Sequence, residues 1–233
     1  VGSIRTLLGN HAPAKQFDLL GTRWILLRGV FSPIDTPITE LLTTWLPYPL
    51  GGSLLEIGCG TGVTSVYGLR MGCDHVVAVD INEAAVENTR QNAARHGVAD
   101  RISVRHGDLY DSLEDDERFD VIYWNSSFID APTDHVFLSA LDHAYFDPGY
   151  RVHRRYLLGA ASHLRTGGRL LLGFSSLGNW DELRRACSEA GLEPRVLRSE
   201  LRHRESMIDF QLLELVSVRE ARIVAEESST RTH

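Results

Sequence analysis

Four places in the chain carry residues whose types and spacing suit a nucleotide-like ligand. Gly58, Gly60 and Gly62 alternate with Cys59 and Thr61, directly after the apolar run Leu54-Leu55-Glu56-Ile57. Glycine lets a backbone turn sharply and lets a ligand lie directly against it. Asp80 follows about 20 residues later, the distance at which an acid reaches a ribose diol. Its two oxygens can accept both hydroxyl protons. Gly107-Asp108-Leu109 and Asn125 complete the set. Glu56, two residues before the first glycine, suits a cationic or ammonium-bearing ligand better than a pyrophosphate.

Each of these positions is expected at the end of a strand. Leu54 to Ile57 reads as a buried strand, followed by a helix from Val63 to Arg70. His75 to Asp80 is a second strand, and Asn82 caps a helix from Glu83 to His96. Ile102 to His106 and Phe119 to Trp124 are further strands. The alternation implies parallel βαβ units. In such a sheet ligands bind beyond the carboxyl ends of the strands. The glycine loop, Asp80, Asp108 and Asn125 all fall on that rim.

Beyond Asn125, a helix is expected over 133–145 and another over 150–164. Gly167-Gly168 leads into a strand over 169–174, and Asn179 caps a helix from Trp180 to Ala190. Two last strands, 194–201 and 208–216, suit an antiparallel hairpin at a sheet edge. Before the glycine loop, residues 17–27 read as a short hairpin around Gly21. Thr36 and Pro37 open a helix from Ile38 to Trp45. Residues 1–49 therefore form a lead-in, 50–218 the main domain and 219–233 a polar, disordered tail.

A dinucleotide-binding enzyme also uses glycines and a ribose-binding acid. Its G-x-G-x-x-G pattern, begun at Gly58, needs a third glycine at position 63, which is Val63. The glycine stands at 62 instead, which disfavours a nicotinamide oxidoreductase.

With these residues in place, the chain resembles the class I S-adenosylmethionine-dependent methyltransferases over roughly residues 50–216. The resemblance rests on Glu56 to Gly62, Asp80, Gly107-Asp108-Leu109 and the end of the fourth strand. It implies a Rossmann-like α/β fold with a seven-stranded sheet, mostly parallel, whose last strand is antiparallel. It also implies S-adenosylmethionine as cofactor and S-adenosylhomocysteine as product. The cofactor-binding set would be Glu56, Gly58, Cys59, Gly60, Gly62, Asp80, Ile81, Asp108, Leu109 and Asn125. In that set the glycine loop meets the methionine part, Asp80 the ribose, and Asp108 with Leu109 the adenine.

The lead-in narrows the resemblance. Leu8-Gly9, Phe17, Val30-Phe31-Ser32-Pro33, Thr36 and Glu40-Leu41 are similar to the linker of the HemK-type glutamine methyltransferases, which modify translation release factors. Asn125-Ser126-Ser127-Phe128 stands where that group has Asn-Pro-Pro-Tyr. By this likeness Asn125, the Ser126 carbonyl and the Phe128 ring hold the acceptor nitrogen. Both prolines, and the fixed φ angles they bring, are missing. That departure turns the expectation from a release factor toward a small-molecule amine or amide of specialised metabolism. A protein-glutamine methyltransferase and a non-catalytic cofactor-binding regulator remain as alternatives. An oxygen or carbon acceptor would need a base; His135, His143 and His153 are the candidates, each read first as a packing or surface residue. Asp130, Asp134, Tyr145 and Tyr150 are equally open, and Asp147-Pro148-Gly149 reads as a turn.

The net charge of −7 among 233 residues argues against broad nucleic-acid binding. Arg151, His153, Arg154 and Arg155 cluster, as do Arg202, His203 and Arg204; both clusters read first as solvated faces. Cys59, Cys73 and Cys187 lack paired spacing, so neither a metal site nor disulfides are expected. No apolar run is long enough to span a bilayer. Val1 to Arg5 lacks the apolar core of a secretory leader, and a cytoplasmic protein is expected. Trp24 in the lead-in hairpin could pack on its own domain or on a second copy in a homodimer.

Overall fold

The structure is a computed structural model, and it describes residues 16–203 and 207–218. Two short strands, β1 (Gln16–Leu19) and β2 (Thr22–Ile25), form the lead-in hairpin, and α1 (Ile38–Trp45) follows. The main sheet is built from β3 (Ser53–Ile57), β4 (His75–Asp80), β5 (Ile102–His106), β6 (Phe119–Asn125), β7 (Leu164–Ser175), β8 (Leu192–His203) and β9 (Met207–Ser217). Between them run α2 (Val63–Arg70), α3 (Glu83–Arg95), α4 (Arg151–Gly159) and α5 (Trp180–Glu189).

The seven strands lie in the order β5-β4-β3-β6-β7-β9-β8. The first five pair in parallel, while β9 runs antiparallel to both β7 and β8. The chain reverses direction across the sheet between β3 and β6, which is where such folds bind ligands. Strands covered on both faces read as continuous apolar runs. Leu54, Leu55, Val76, Val77, Val79 and Ile122 are accordingly buried. Asn82 accepts from the Ala84 amide at the start of α3, and Asn179 from Glu182 at the start of α5. The expected fold class and the edge hairpin are both present.

The segment after β6 departs from expectation. No helix runs over 133–145; a single 3-10 turn, Ala140–Ala144, is all that forms. His135 and Phe137 turn inward while Val136 and Leu138 are exposed. That two-residue alternation belongs to extended chain. The expected helix over 150–164 is shortened to α4. Gly159 ends it where a Cβ would stand 2.6 Å from the Tyr110 ring. β7 starts at Leu164, earlier than expected. Leu164 pairs with Phe119, the register then shifts, and pairing resumes at Arg169 with Val121.

The lead-in hairpin packs on its own domain. Trp24 is fully buried, lies 4.2 Å from the His96 ring and donates to the Leu19 carbonyl at 2.9 Å. Asn88 and Asn92 of α3 bind both sides of the Ile25 peptide and the Leu27 amide at 2.8–2.9 Å. The tail over 219–233, Leu8-Gly9 and Arg204 lie outside the described residues.

Candidate active site

The glycine loop turns because three of its residues adopt backbone angles that side chains disfavour. Gly58, Gly60 and Gly62 have φ of +66°, +56° and +77°. At Gly62 a Cβ would also stand 2.8 Å from Thr89. From behind, α3 fixes the loop: Thr89 donates to the Gly60 carbonyl at 3.1 Å and Asn92 to the Thr61 carbonyl at 2.8 Å. Asp80 fixes it from the side. Its Oδ2 accepts the Gly60 amide and its Oδ1 the Asn82 amide, both at 2.9 Å. Burial pushes the Asp80 carboxyl above its ordinary value, against these amides.

One cavity of about 340 Å³ runs along this rim. Its wall includes Glu56, the loop from Gly58 to Thr61, Asp80, Ile81, Asp108, Leu109 and the whole stretch from Trp124 to Ile129. The structure therefore brings nearly every expected site residue to one space. Gly62 is the exception, since it supports the loop from behind. Leu109 takes a left-handed φ of +57°, and Asp108 accepts from Arg155 at 2.7 Å. Cys59 is buried and its sulfur accepts from Thr89 at 3.3 Å; burial pushes the thiol well up, which does not suit a nucleophile.

Glu56 is buried on the cavity wall and accepts from the Ser65 hydroxyl. Burial pushes its carboxyl up to about 8. A folded value raised above the unfolded one has a definite sign. Stability from this group is fully present below about 4.5 and is lost as the pH rises through about 8. Glu56→Gln should thus gain stability relative to wild type between pH 5 and pH 9, by at most about 5 kcal/mol. Urea denaturation at both pH values measures it, and a pH-independent difference would contradict the buried acid.

The stretch after β6 is held without prolines. Ser126 donates its hydroxyl to the Gly173 carbonyl at 2.7 Å. Tyr150, itself at φ +53°, donates to the Phe128 carbonyl at 2.5 Å and accepts the Asn179 amide at 2.7 Å. Ile129 and Asp147 exchange backbone bonds with the segment opposite, at 3.1 and 2.9 Å. Asp130 accepts from Gly149 and Asn179, both at 3.0 Å. Asp130 and Tyr150 are therefore fasteners of this loop and lie off the cavity wall. His153 is also off the wall: fully buried, it pairs with Asp147 at 2.7 Å, and burial lowers its pKa. Asn125, on the wall, makes no side-chain hydrogen bond to any described residue, so its amide is available.

The far end of the cavity is lined from two sides. Phe31 and Pro33 come from the lead-in, and His135, Phe137, His143 and Tyr145 from the segment before α4. The Phe31 and Tyr145 rings meet at 5.6 Å. Sequence reasoning did not find Phe31, Phe137 or Arg151 as site residues. The basic cluster containing Arg151 splits in the structure. Arg154 pairs with Glu182 and Glu189, Arg155 with Asp108, and Arg151 alone reaches the cavity.

An elongated space lined by a glycine cradle, a locked carboxylate and a buried acid fits an adenosyl group bearing an amino-acid end. Residues 54–168 match a family model described as a methyltransferase domain. A ribosomal protein L11 methyltransferase of Desulforamulus reducens is 37% identical over 75 residues, covering 32% of this chain and 24% of that protein. A release factor glutamine methyltransferase of Cereibacter sphaeroides is 33% identical over 163 residues, covering 65% of this chain and 56% of that protein. The matches thus span from about a quarter to just over half of those relatives. Among solved structures, a 16S rRNA N2 G1207 methyltransferase of T. thermophilus, in complex with AdoMet and guanosine, aligns with a TM-score of 0.57 at 20% identity, covering 87% of this chain and 49% of that one. A SAM-dependent methyltransferase of Thiobacillus denitrificans, in complex with S-adenosyl-L-homocysteine, aligns with a TM-score of 0.54 at 14% identity, covering 82% and 94%. No helix among the described residues is long and apolar enough to cross a membrane.

Proposed function

We propose that the class I S-adenosylmethionine-dependent methyltransferase domain of this chain methylates a nitrogen of a small-molecule acceptor. S-adenosylmethionine, its cofactor, supplies a methyl group already activated on a sulfonium. In this reading Asp80 accepts the ribose hydroxyls, and Asp108 with the Leu109 backbone meets the adenine. Ile81 packs beside it, while Gly58, Cys59 and Gly60 line the methionine part. Glu56 faces the positive charge, which favours its ionised form.

The acceptor needs positioning more than activation. The Asn125 side-chain oxygen and the Ser126 carbonyl would accept the N–H groups of the acceptor, and Phe128 would pack on its plane. The remaining electron density then faces the methyl carbon. The Ser126 hydroxyl is already committed to Gly173, so only its carbonyl serves. Three free cysteines suit a reducing cytoplasm as the site of the reaction.

The ring-lined far end of the cavity, walled by Phe31, Phe137 and Tyr145, carries the small-molecule reading, because flat rings there suit a planar acceptor of limited size. A protein glutamine is the second reading, supported by Asn125 and by the likeness to the release factor enzyme. The test is incubation of a bacterial extract with the protein and methyl-labelled cofactor, followed by separation into metabolites, protein and RNA. Label is expected among the metabolites. Label confined to protein or RNA would overturn the small-molecule reading.

A further inference from the structure

The charged side chains on the cavity wall are nearly all engaged. Glu56 holds Ser65, Asp80 holds two loop amides, and Asp108 holds Arg155. Asp147 holds His153 and two amides at the start of α4. Arg151 lines the same wall, is exposed, and has no hydrogen bond or ion pair to any described residue. It is also the first residue of α4. The positive end of a helix favours an anion and disfavours a cation. The Asp147 carboxylate already meets that end through the Val152 and His153 amides, so the uncompensated charge there is the Arg151 guanidinium itself.

The surroundings are flat and aromatic. Phe137 stacks on His143 with ring centres 4.1 Å apart and planes within 9°. His135 packs against Phe146 at 4.7 Å, and its Nε2 is buried without a partner.

We propose that Arg151 binds a carboxylate on a planar acceptor held among these rings. This rests on the small-acceptor reading above and names its substrate class: a small aromatic acid bearing the nitrogen to be methylated. A planar guanidinium matches a carboxylate through two parallel hydrogen bonds. Lysine, a point charge, would replace it poorly.

The test uses the protein saturated with S-adenosylhomocysteine. It is titrated calorimetrically with 2-aminobenzoate, 4-aminobenzoate and indole-3-carboxylate, each against its carboxamide. At least one acid should bind about tenfold more tightly than its amide, the usual scale of a charged hydrogen bond. Arg151→Ala and Arg151→Glu should erase that preference, and Arg151→Lys should keep part of it. The affinity for S-adenosylhomocysteine should stay within about twofold in all three variants. Acids and amides that bind alike, or fail to bind, overturn the proposal. So does a preference that survives Arg151→Ala. A roughly tenfold loss of S-adenosylhomocysteine affinity in Arg151→Ala would assign the guanidinium to the cofactor's own carboxylate, also overturning it. If the wild type does not bind S-adenosylhomocysteine, the donor site itself is wrong, and that failure is seen before any acid is added.

Discussion

Asp80→Ala should weaken S-adenosylhomocysteine binding by roughly 100-fold or more. Two contributions combine in this side chain. Hydrogen bonds to a charged group contribute about 1.5–3 kcal/mol each, and a ribose diol offers two. The same carboxylate also joins the end of β4 to the glycine loop, through the Gly60 and Asn82 amides. Removing it takes away the ribose acceptor and leaves the Gly60 amide without its partner. Asp80→Asn keeps one oxygen and the shape but not the charge, so an intermediate loss is expected. Equilibrium dialysis with labelled S-adenosylhomocysteine measures both variants. An Asp80→Ala protein that binds within about threefold of wild type would remove Asp80 from the donor site.

Asn125→Ala should lower kcat by roughly 100- to 1000-fold and shift S-adenosylhomocysteine affinity by no more than about threefold. The amide is uncommitted and lines the cavity between the glycine loop and the proposed acceptor end. Space for it depends on Gly173 across the pair β6–β7, where a Cβ would stand 3.0 Å from the Asn125 oxygen. Loss of rate without loss of donor binding separates positioning of the acceptor from retention of the cofactor. Single-turnover transfer from labelled S-adenosylmethionine measures it, once an acceptor is in hand. Unchanged transfer in Asn125→Ala would mean that another group positions the acceptor.

The proposed donor half of the site was legible in the sequence because strand ends and glycines report backbone position directly. A parallel sheet gathers its carboxyl ends on one rim, so Asp80, Asp108 and Asn125 could be brought together from strand assignments alone. Asn82 and Asn179 marked helix starts for an equally local reason, since each side chain closes on an amide two or three residues ahead. The proposed acceptor half was not legible. Its walls come from Phe31, Phe137 and Arg151, which lie far apart in the chain and meet only through tertiary packing. The expected helix over 133–145 failed for the same reason. Its apolar residues alternate inward and outward around a cavity that the sequence does not announce. The loop that lacks those prolines is nonetheless held in place. Stiffness at Ser126 to Asp130 is supplied by Tyr150, Asn179 and the Gly173 carbonyl, none of them adjacent in sequence.

The hydrophobic core explains why the rim holds its geometry. β3, β4 and β6 are buried on both faces, and each delivers a site residue at its carboxyl end. The lead-in hairpin, fastened to α3 by Asn88 and Asn92, then carries Phe31 to the far wall of the cavity. Asn92 thus ties the glycine loop and the lead-in hairpin to the same helix, and Asn88 adds two bonds on the hairpin side.

The most direct test of the whole account is calorimetric titration of the wild-type protein with S-adenosylhomocysteine and, separately, with NAD. One S-adenosylhomocysteine should bind per chain, with a dissociation constant on the order of micromolar, and NAD should give no saturable heat. Absence of S-adenosylhomocysteine binding, or NAD binding of equal strength, would contradict the assignment of the glycine loop, Asp80 and Glu56 to a methyl donor.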